Sequence, residues 1–189
     1  MKLVLASASP RRAELLQQMG LEFDVQAVDI DETPQVDEAA EVYVRRLALA
    51  KARASKALST RDGQLFLGSD TAVIIDGDIL GKPENKQHAL DMLRRLSNRQ
   101  HTVLTSVALV GEHEACLVCE SQVSFSGINE QELEWYWASG EPKGKAGAYG
   151  IQGKAAVFIR RLEGSFSAVM GLPIYETTQL LKQQGFTFK

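Results

Sequence analysis

The stretch LFLGSDTAVIIDGDILGKP, at residues 65–83, decides which class of fold the sequence predicts. Its apolar start, residues 65–67, predicts a strand, and the small residues 68–71 follow directly. The pair Asp76-Gly77 is a favoured two-residue turn and predicts a hairpin. Because a hairpin pairs antiparallel strands, it interrupts the strand–helix alternation that a doubly wound parallel sheet requires. The stretch therefore favours a mixed α/β (α+β) fold.

Outward from this stretch, apolar strands and amphipathic helices are interleaved along the chain. Further strands are predicted at residues 3–6, 22–25, 102–110, 115–125 and 157–159, and residues 111–113 join two of them in a second hairpin. Helices are predicted at residues 10–20, 38–58, 84–96, 129–138 and 173–184, the fourth of them capped by Asn129. The length of 189 residues, without repeat or linker, indicates a single domain over 1–189, or two lobes that share one core.

Composition excludes several classes of function. The formal net charge is −3, which argues against nonspecific nucleic-acid or anionic-membrane binding, since both need a basic surface. No apolar run approaches the ~18 residues of a membrane span and no signal peptide is evident, so we expect a cytoplasmic protein. Cys116 and Cys119 form a C-x-x-C inside a predicted strand, where residues three apart point to opposite faces, and this disfavours a metal or redox site.

The segment SASPRR, residues 7–12, joins the first strand to the first helix. Ser9 is the expected N-cap and Pro10 the first helical residue. The backbone N–H groups of a helix N-terminus suit an anion, and Ser7, Arg11 and Arg12 add donors that match phosphate oxygens. An ordinary capped helix with two surface arginines is the alternative that this segment alone leaves open.

Two more segments carry candidate chemistry. Asp70 is expected at the end of an apolar strand, where ligands commonly bind, although a turn aspartate bonding its own backbone fits equally. Lys82 lies in GKP after the hairpin, where a merely solvated lysine is the alternative. In the acidic loop, Asp29, Asp31 and Glu32 offer the oxygen ligands that Mg²⁺ or Mn²⁺ prefer, or form a solvated acidic run. Together these segments suggest phosphate chemistry on a nucleotide.

Six segments, LASASPRRAELL, VDIDE, RLALAKA, LGSDTAV, GKP and KAGAYGIQG, resemble the Maf family of nucleoside triphosphate pyrophosphatases in the same order and spacing. The resemblance implies an inosine-triphosphatase-like fold: an elongated mixed sheet flanked by helices, with two lobes and a central cleft. It also implies a single Maf-type domain, a homodimer, a divalent metal cation (Mg²⁺ or Mn²⁺), and hydrolysis of the bond between the α and β phosphates.

The resemblance implies a role for each motif residue. Asp70 would accept a proton and, with Glu32, bind the metal. The triphosphate would be held by Ser7, Arg11, Arg12, Lys51 and Lys82.

Three positions track the substrate in this family. Arg12, Thr71 and Gln152 resemble the branch that acts on dTTP and UTP, whereas the branch acting on 7-methyl-GTP has Trp, Gln and Glu there. The Gln152 amide offers a donor and an acceptor, which match the adjacent N–H and C=O groups of a pyrimidine. The alternatives are a nucleotide-binding regulator of septum formation without essential turnover and, less favoured, a purine-directed enzyme.

Overall fold

A computed structural model describes residues 2–187 of the chain. Within that range the strands are β1 (Lys2–Leu5), β2 (Phe23–Val25), β3 (Gln64–Ile75), β4 (Asp78–Leu80), β5 (Gln100–Val110), β6 (Glu114–Phe125) and β7 (Ile159–Glu163). The α-helices are α1 (Pro10–Gln18), α2 (Ala40–Leu58), α3 (Lys86–Leu96), α4 (Glu130–Ala138), α5 (Phe166–Met170) and α6 (Ile174–Gln183), and two short 3₁₀ helices cover Ala146–Ala148 and Lys154–Phe158.

The strands described in residues 2–187 form one mixed sheet in the order β2-β1-β3-β5-β6-β7, with β4 paired to β3. Strand β1 runs parallel to both β2 and β3, whereas β4 is antiparallel to β3 and β7 is antiparallel to β6. The predicted turn joins β3 to β4, because Asp76 and Gly77 both have the positive φ that a tight hairpin turn needs. The mixed α/β class predicted from this hairpin is confirmed.

The chain separates into two compact units, each with its own apolar core. Unit 1 comprises Met1–Asp70, Thr105–Cys119 and Gly171–Lys189, and unit 2 comprises Thr71–Leu104 and Glu120–Met170. In unit 1, Val4, Ala52, Phe66 and Val110 form a buried apolar cluster. Buried apolar residues of unit 2 include Val73, Leu93, Phe125, Leu133 and Tyr149. The single Maf-type domain over 1–189 and the central cleft stay predictions.

A close crossing of α2 and β3 in unit 1 fixes the positions of their polar side chains. A Cβ atom at Gly68 would overlap the carbonyl oxygen of Ala48 and lie 2.8 Å from the backbone nitrogen of Ala52. Gly68, Ala48 and Ala52 thus let a helix backbone lie directly on a strand backbone. This contact brings Lys51 of α2 next to Asp70 of β3, two residues beyond Gly68.

Three local predictions were wrong or incomplete. Asp70 does not end a strand, because β3 continues to Ile75. Residues 154–158 are a 3₁₀ helix and β7 begins only at Ile159, so the predicted strand at 157–159 starts too early. Helix α5 was not predicted, since its five residues are too short to show a helical period. Among the described residues, none of the helices is long and apolar enough to span a membrane.

Candidate active site

One lysine touches two carboxylates at the centre of the candidate site in unit 1. The Nζ atom of Lys51 lies 2.7 Å from Asp70 Oδ1 and 2.7 Å from Glu32 Oε1. The side chains of Lys51 and Asp70 are only 9% and 10% exposed, whereas that of Glu32 is 36% exposed. An ammonium group in contact with both carboxylates offsets part of the cost of burying Asp70. Glu32 lies at the more accessible side of the group.

The structure therefore corrects the environment predicted for Asp70. Neither the strand-end position nor the turn alternative applies, because Asp70 lies inside β3. A strand can bury a carboxylate here because Lys51 neutralises it. The neighbouring Ser69 is also buried, and its hydroxyl donates to the carbonyl of Gly171 at 2.9 Å. The small residues that suggested a turn instead permit the contact with α2.

The Ser7–Arg12 segment forms the second group of polar side chains in unit 1. Ser9 is the N-cap of α1 and Pro10 its first residue, as predicted, but the Ser9 side chain makes no capping hydrogen bond. The Arg12 guanidinium donates through Nε to the carbonyl of Gly171 at 2.8 Å and through Nη1 to Ser7 Oγ at 3.1 Å. The Arg12 side chain is thus held in place by hydrogen bonds and is not a freely solvated surface arginine.

Electrostatics link this segment to the carboxylates. Burial lowers the pKa of the Arg12 guanidinium, Asp70 and Glu32 raise it, and the neighbouring Arg11 lowers it further. Because the charges of Asp70 and Glu32 both act on the Arg12 guanidinium, Arg12 lies within electrostatic range of both carboxylates. The segment beside β1 and the carboxylates of unit 1 therefore belong to one electrostatic neighbourhood.

The acidic loop is held by side chains of α2 that sequence reasoning missed. The hydroxyl of Tyr43 donates to the carbonyl of Glu32 at 3.0 Å. Arg46 donates to both carboxylate oxygens of Glu38, at 2.6 and 2.7 Å, and to the carbonyl of Thr33. Burial, with the nearby charges of Asp70 and Glu32, raises the pKa of Tyr43 to about 12, so it stays a donor. Helical spacing beside Lys51 was the available signal for Tyr43.

The carboxylates of the acidic loop have separate surroundings. Asp31 is exposed and accepts from the backbone N–H of Thr33 at 2.9 Å, which forms a local turn. Hydrogen bonds with the side chain and then the backbone of Thr33 lower the pKa of Asp31. Asp29 is also exposed, whereas Glu32 turns towards Lys51. In the described part of the chain, the ion pairs found for Lys51 include Glu32 but neither Asp29 nor Asp31.

The remaining predicted residues lie elsewhere in the two units. Arg11 is a half-buried residue of α1 in unit 1. Thr71, half-buried in β3, and Lys82, exposed after β4, belong to unit 2. Gln152 is an exposed residue of a turn in unit 2. The structure brings Ser7, Arg12, Glu32, Lys51 and Asp70 together in unit 1, and the roles assigned to all these residues stay predictions.

The two carboxylates suit a hard divalent cation. Glu32 and Asp70 both reach the same ammonium group, so an oxygen of each carboxylate lies near one point. Within residues 2–187 no group of three or more His, Cys, Asp or Glu could enclose a metal ion. Mg²⁺ is commonly held by one or two carboxylates together with substrate phosphates, and this donor set fits that mode.

Known proteins of similar sequence cover almost the whole chain. The dTTP/UTP pyrophosphatase of Hahella chejuensis is 52% identical over 187 residues, which are 97% of this chain and 92% of the relative. Two other proteins of that name, from Colwellia psychrerythraea and Myxococcus xanthus, are 50% and 51% identical. These matches cover 98% and 97% of this chain and 89% and 92% of the relatives.

Solved structures of low sequence identity share the fold. The Staphylococcus aureus Ham1 protein matches with a TM-score of 0.57 at 14% identity, over 97% of this chain and all of that one. A HAM1 protein from Coxiella burnetii matches with a TM-score of 0.51 at 18% identity, over 97% of this chain and 99% of that one. The family model described as "Maf-like protein" matches residues 2–184. The chain is therefore a member of the Maf family.

Proposed function

We propose that this chain is a nucleoside triphosphate pyrophosphatase that hydrolyses dTTP and UTP at the α–β phosphate bond, giving the monophosphate and pyrophosphate. Relatives that are about half identical over nearly the full chain are named dTTP/UTP pyrophosphatases, which supports this activity. The observation that carries the proposal is the buried Asp70 carboxylate, held 2.7 Å from the Lys51 ammonium, which in turn holds Glu32.

Asp70 is the proposed proton acceptor. Lys51 contacts its Oδ1 and so fixes the orientation of the carboxylate. A water that attacks the α phosphorus would give its proton to this carboxylate, and pyrophosphate would leave on the opposite side. Arg12, braced by Ser7 and Gly171, and the cations of Arg11 and Lys82 would offset phosphate charge. Positioning and charge stabilisation supply most of the catalysis in such reactions.

Glu32 and Asp70 are the residues proposed to hold a divalent cation, Mg²⁺ or Mn²⁺. When bound, such an ion would neutralise charge on the phosphates. Lys51 contacts both carboxylates and would keep them close together. Because two carboxylates share one ammonium group, the cluster carries surplus negative charge, which would attract a further cation.

Gln152 and Thr71 are proposed to select the pyrimidine base, together with Arg12. The exposed amide of Gln152 offers one donor and one acceptor to the adjacent N–H and C=O groups of uracil or thymine. We infer from the resemblance that the protein is a cytoplasmic homodimer. Light scattering coupled to size-exclusion chromatography would test the dimer.

A panel of nucleoside triphosphates, assayed for pyrophosphate release with Mg²⁺, with Mn²⁺ and with chelator, tests the proposal. We expect release from dTTP and UTP to exceed release from ATP, GTP and CTP and to stop in chelator. Saturable UTP binding without any pyrophosphate release would instead support the nucleotide-binding regulator. Preference for a purine nucleotide would refute the assignment of Gln152.

A further inference from the structure

The turn that carries Gln152 begins among buried groups of unit 2. Gln152 itself is exposed, whereas its neighbours Tyr149, Gly150 and Ile151 are buried. The hydroxyl of Tyr149 lies 2.8 Å from Nε2 of His101, which fixes the entry to the turn. A short turn with a buried start presents its exposed side chain from a defined backbone position.

Glu141 contacts one end of this turn directly and the other end through the hydroxyl of Tyr136. Its Oε2 accepts a hydrogen bond from the backbone N–H of Lys154 at 2.8 Å. Its Oε1 accepts from the hydroxyl of Tyr136 at 3.3 Å, and that hydroxyl accepts from the backbone N–H of Gly150 at 3.3 Å. The two backbone N–H groups on either side of Gln152 are therefore connected through Glu141.

The Glu141 carboxylate packs against the turn at Gly153, where the chain has no side chain. A Cβ atom at Gly153 would overlap Oε1 and Cδ of Glu141 and lie 2.7 Å from Oε2. Glu141 is also held from its own side, because its backbone N–H donates to Ser139 Oγ at 3.2 Å and Lys145 Nζ donates to its carbonyl. The absence of a side chain at Gly153 lets the carboxylate pack against the turn.

We propose that Glu141 is a positioning residue for base selection: it holds the turn at residues 150–154 so that Gln152 meets the pyrimidine already ordered. The inference rests on the proposed function, and in particular on Gln152 as the side chain that contacts the base. Glu141 acts through the backbone of the turn. A pre-ordered recognition group spares the substrate the entropic cost of ordering it on binding.

Loss of the carboxylate therefore changes binding more than chemistry. Without Glu141 the N–H of Lys154 and the hydroxyl of Tyr136 lose this carboxylate as an acceptor, while the His101–Tyr149 contact still holds the start of the turn. A hydrogen bond to an ionised acceptor is worth roughly tenfold or more in an equilibrium constant. The KM for UTP should thus rise about tenfold, with kcat changed by less than about twofold.

The experiment compares Glu141→Ala, Glu141→Gln and the control Glu134→Ala in the full chain. Glu134 makes only an exposed ion pair with Lys86 among the contacts found in the described residues. We expect Glu141→Ala to raise the KM for UTP and dTTP and to lower the kcat/KM preference for UTP over GTP by the same factor. Glu141→Gln keeps one acceptor and should recover most of the loss, and Glu134→Ala should match the wild type.

Hydrogen exchange in the absence of nucleotide gives a second measurement. Glu141→Ala, or Glu141→Gln if the alanine variant does not fold, should accelerate exchange at the amides of residues 150 and 154. A variant that is less stable yet keeps the wild-type KM and preference would show a merely structural role and overturn the inference.

The variant Gln152→Glu separates this inference from the proposed function. If Gln152→Glu leaves the preference for UTP unchanged while the wild type releases pyrophosphate, the turn does not select the base and the Glu141 inference is wrong. If the wild type releases pyrophosphate from none of the nucleotides, both the proposed function and the inference that rests on it are wrong.

Discussion

Lys51 determines the electrostatic character of the candidate site because its ammonium group serves two carboxylates at once. Contacts of 2.7 Å to both Asp70 and Glu32 leave the three groups with one surplus negative charge when all are ionised. The Lys51 ammonium offsets part of the cost of burying the Asp70 carboxylate, and the surplus negative charge still attracts a cation. Arg12 lies within electrostatic range of both carboxylates but is held to Ser7 and Gly171.

The variant Asp70→Asn tests the proton acceptor. The amide keeps the size of the side chain but cannot take a proton, so we expect kcat to fall ~10²–10⁴-fold with little change in KM. Steady-state pyrophosphate release from UTP measures both constants. Asp76→Asn is the matched control, because Asp76 lies in the exposed β3–β4 turn and asparagine tolerates its positive φ. Wild-type turnover in Asp70→Asn would exclude Asp70 as the base.

The variant Lys51→Met tests the contribution of the lysine to stability without any assay of activity. Removal of one partner from a buried ion pair leaves an uncompensated charge, and we expect the free energy of unfolding to fall by ~3 kcal/mol. The double variant Lys51→Met/Asp70→Asn should lose less, because the carboxylate that needs compensation is also gone. Urea denaturation measures both values. A double variant less stable than Lys51→Met would contradict this account.

At the scale of elements, the crossing of α2 and β3 sets the distance between Lys51 and Asp70. Gly68→Ala tests this crossing, because its methyl group would overlap Ala48 and crowd Ala52. Overpacking of this kind costs ~1–3 kcal/mol, and here the obstacle is backbone and cannot rotate away. We expect urea denaturation to show a free energy of unfolding lower by ~3 kcal/mol, and we expect lower turnover of UTP.

Gly127→Ala is the matched control for this crossing. A Cβ atom there meets nothing within 4 Å, and its φ is not in the left-handed region. We expect its free energy of unfolding to stay within ~0.5 kcal/mol of the wild type. Equal stability of the Gly68 and Gly127 variants would show that the helix can move away from the strand without cost.

The elements that carry local signals were predictable from the sequence. Asp76-Gly77 demanded a tight turn, and Asn129 caps α4 with Glu132 in a reciprocal capping box. The path of β3 through Asp70 was not predictable, because the compensating lysine is 19 residues away in sequence and the period of a strand does not show it. Tyr43 shares the helical spacing of Lys51, but its role was missed because its hydroxyl binds a backbone carbonyl of a loop that has no regular period.

At the scale of the whole molecule, motif residues occur in both compact units, and each unit has its own core. Ser7, Arg12 and Asp70 lie in unit 1, whereas Lys82 and Gln152 lie in unit 2. The core of unit 2 includes a titratable group, His101, which is 2% exposed and packs edge-to-face against Phe125 and Tyr149. The stability of this unit should therefore depend on pH in a range where the surface carboxylates contribute little.

Burial lowers the pKa of His101 from 6.5 to about 4. Because the folded value lies below the unfolded one, the unfolded chain binds a proton between these pH values that the folded chain does not. The stability that depends on a neutral His101 is fully present above pH 6.5. It is lost as the pH falls towards 4, and the loss is on the order of 3 kcal/mol in total. Arg46 lowers the pKa of Glu38 to about 2, so the stability that this ion pair contributes declines only below pH 4.5.

Urea denaturation at pH 7.5, 6.5 and 5.5 therefore isolates the contribution of His101. The wild type should lose stability across this range, whereas His101→Gln, which keeps a partner for the Tyr149 hydroxyl but does not titrate, should lose much less. The control His113→Gln removes an exposed histidine and should follow the wild type. Parallel pH dependence in His101→Gln and the wild type would mean that protonation of the buried ring does not oppose folding, and that another group causes the loss.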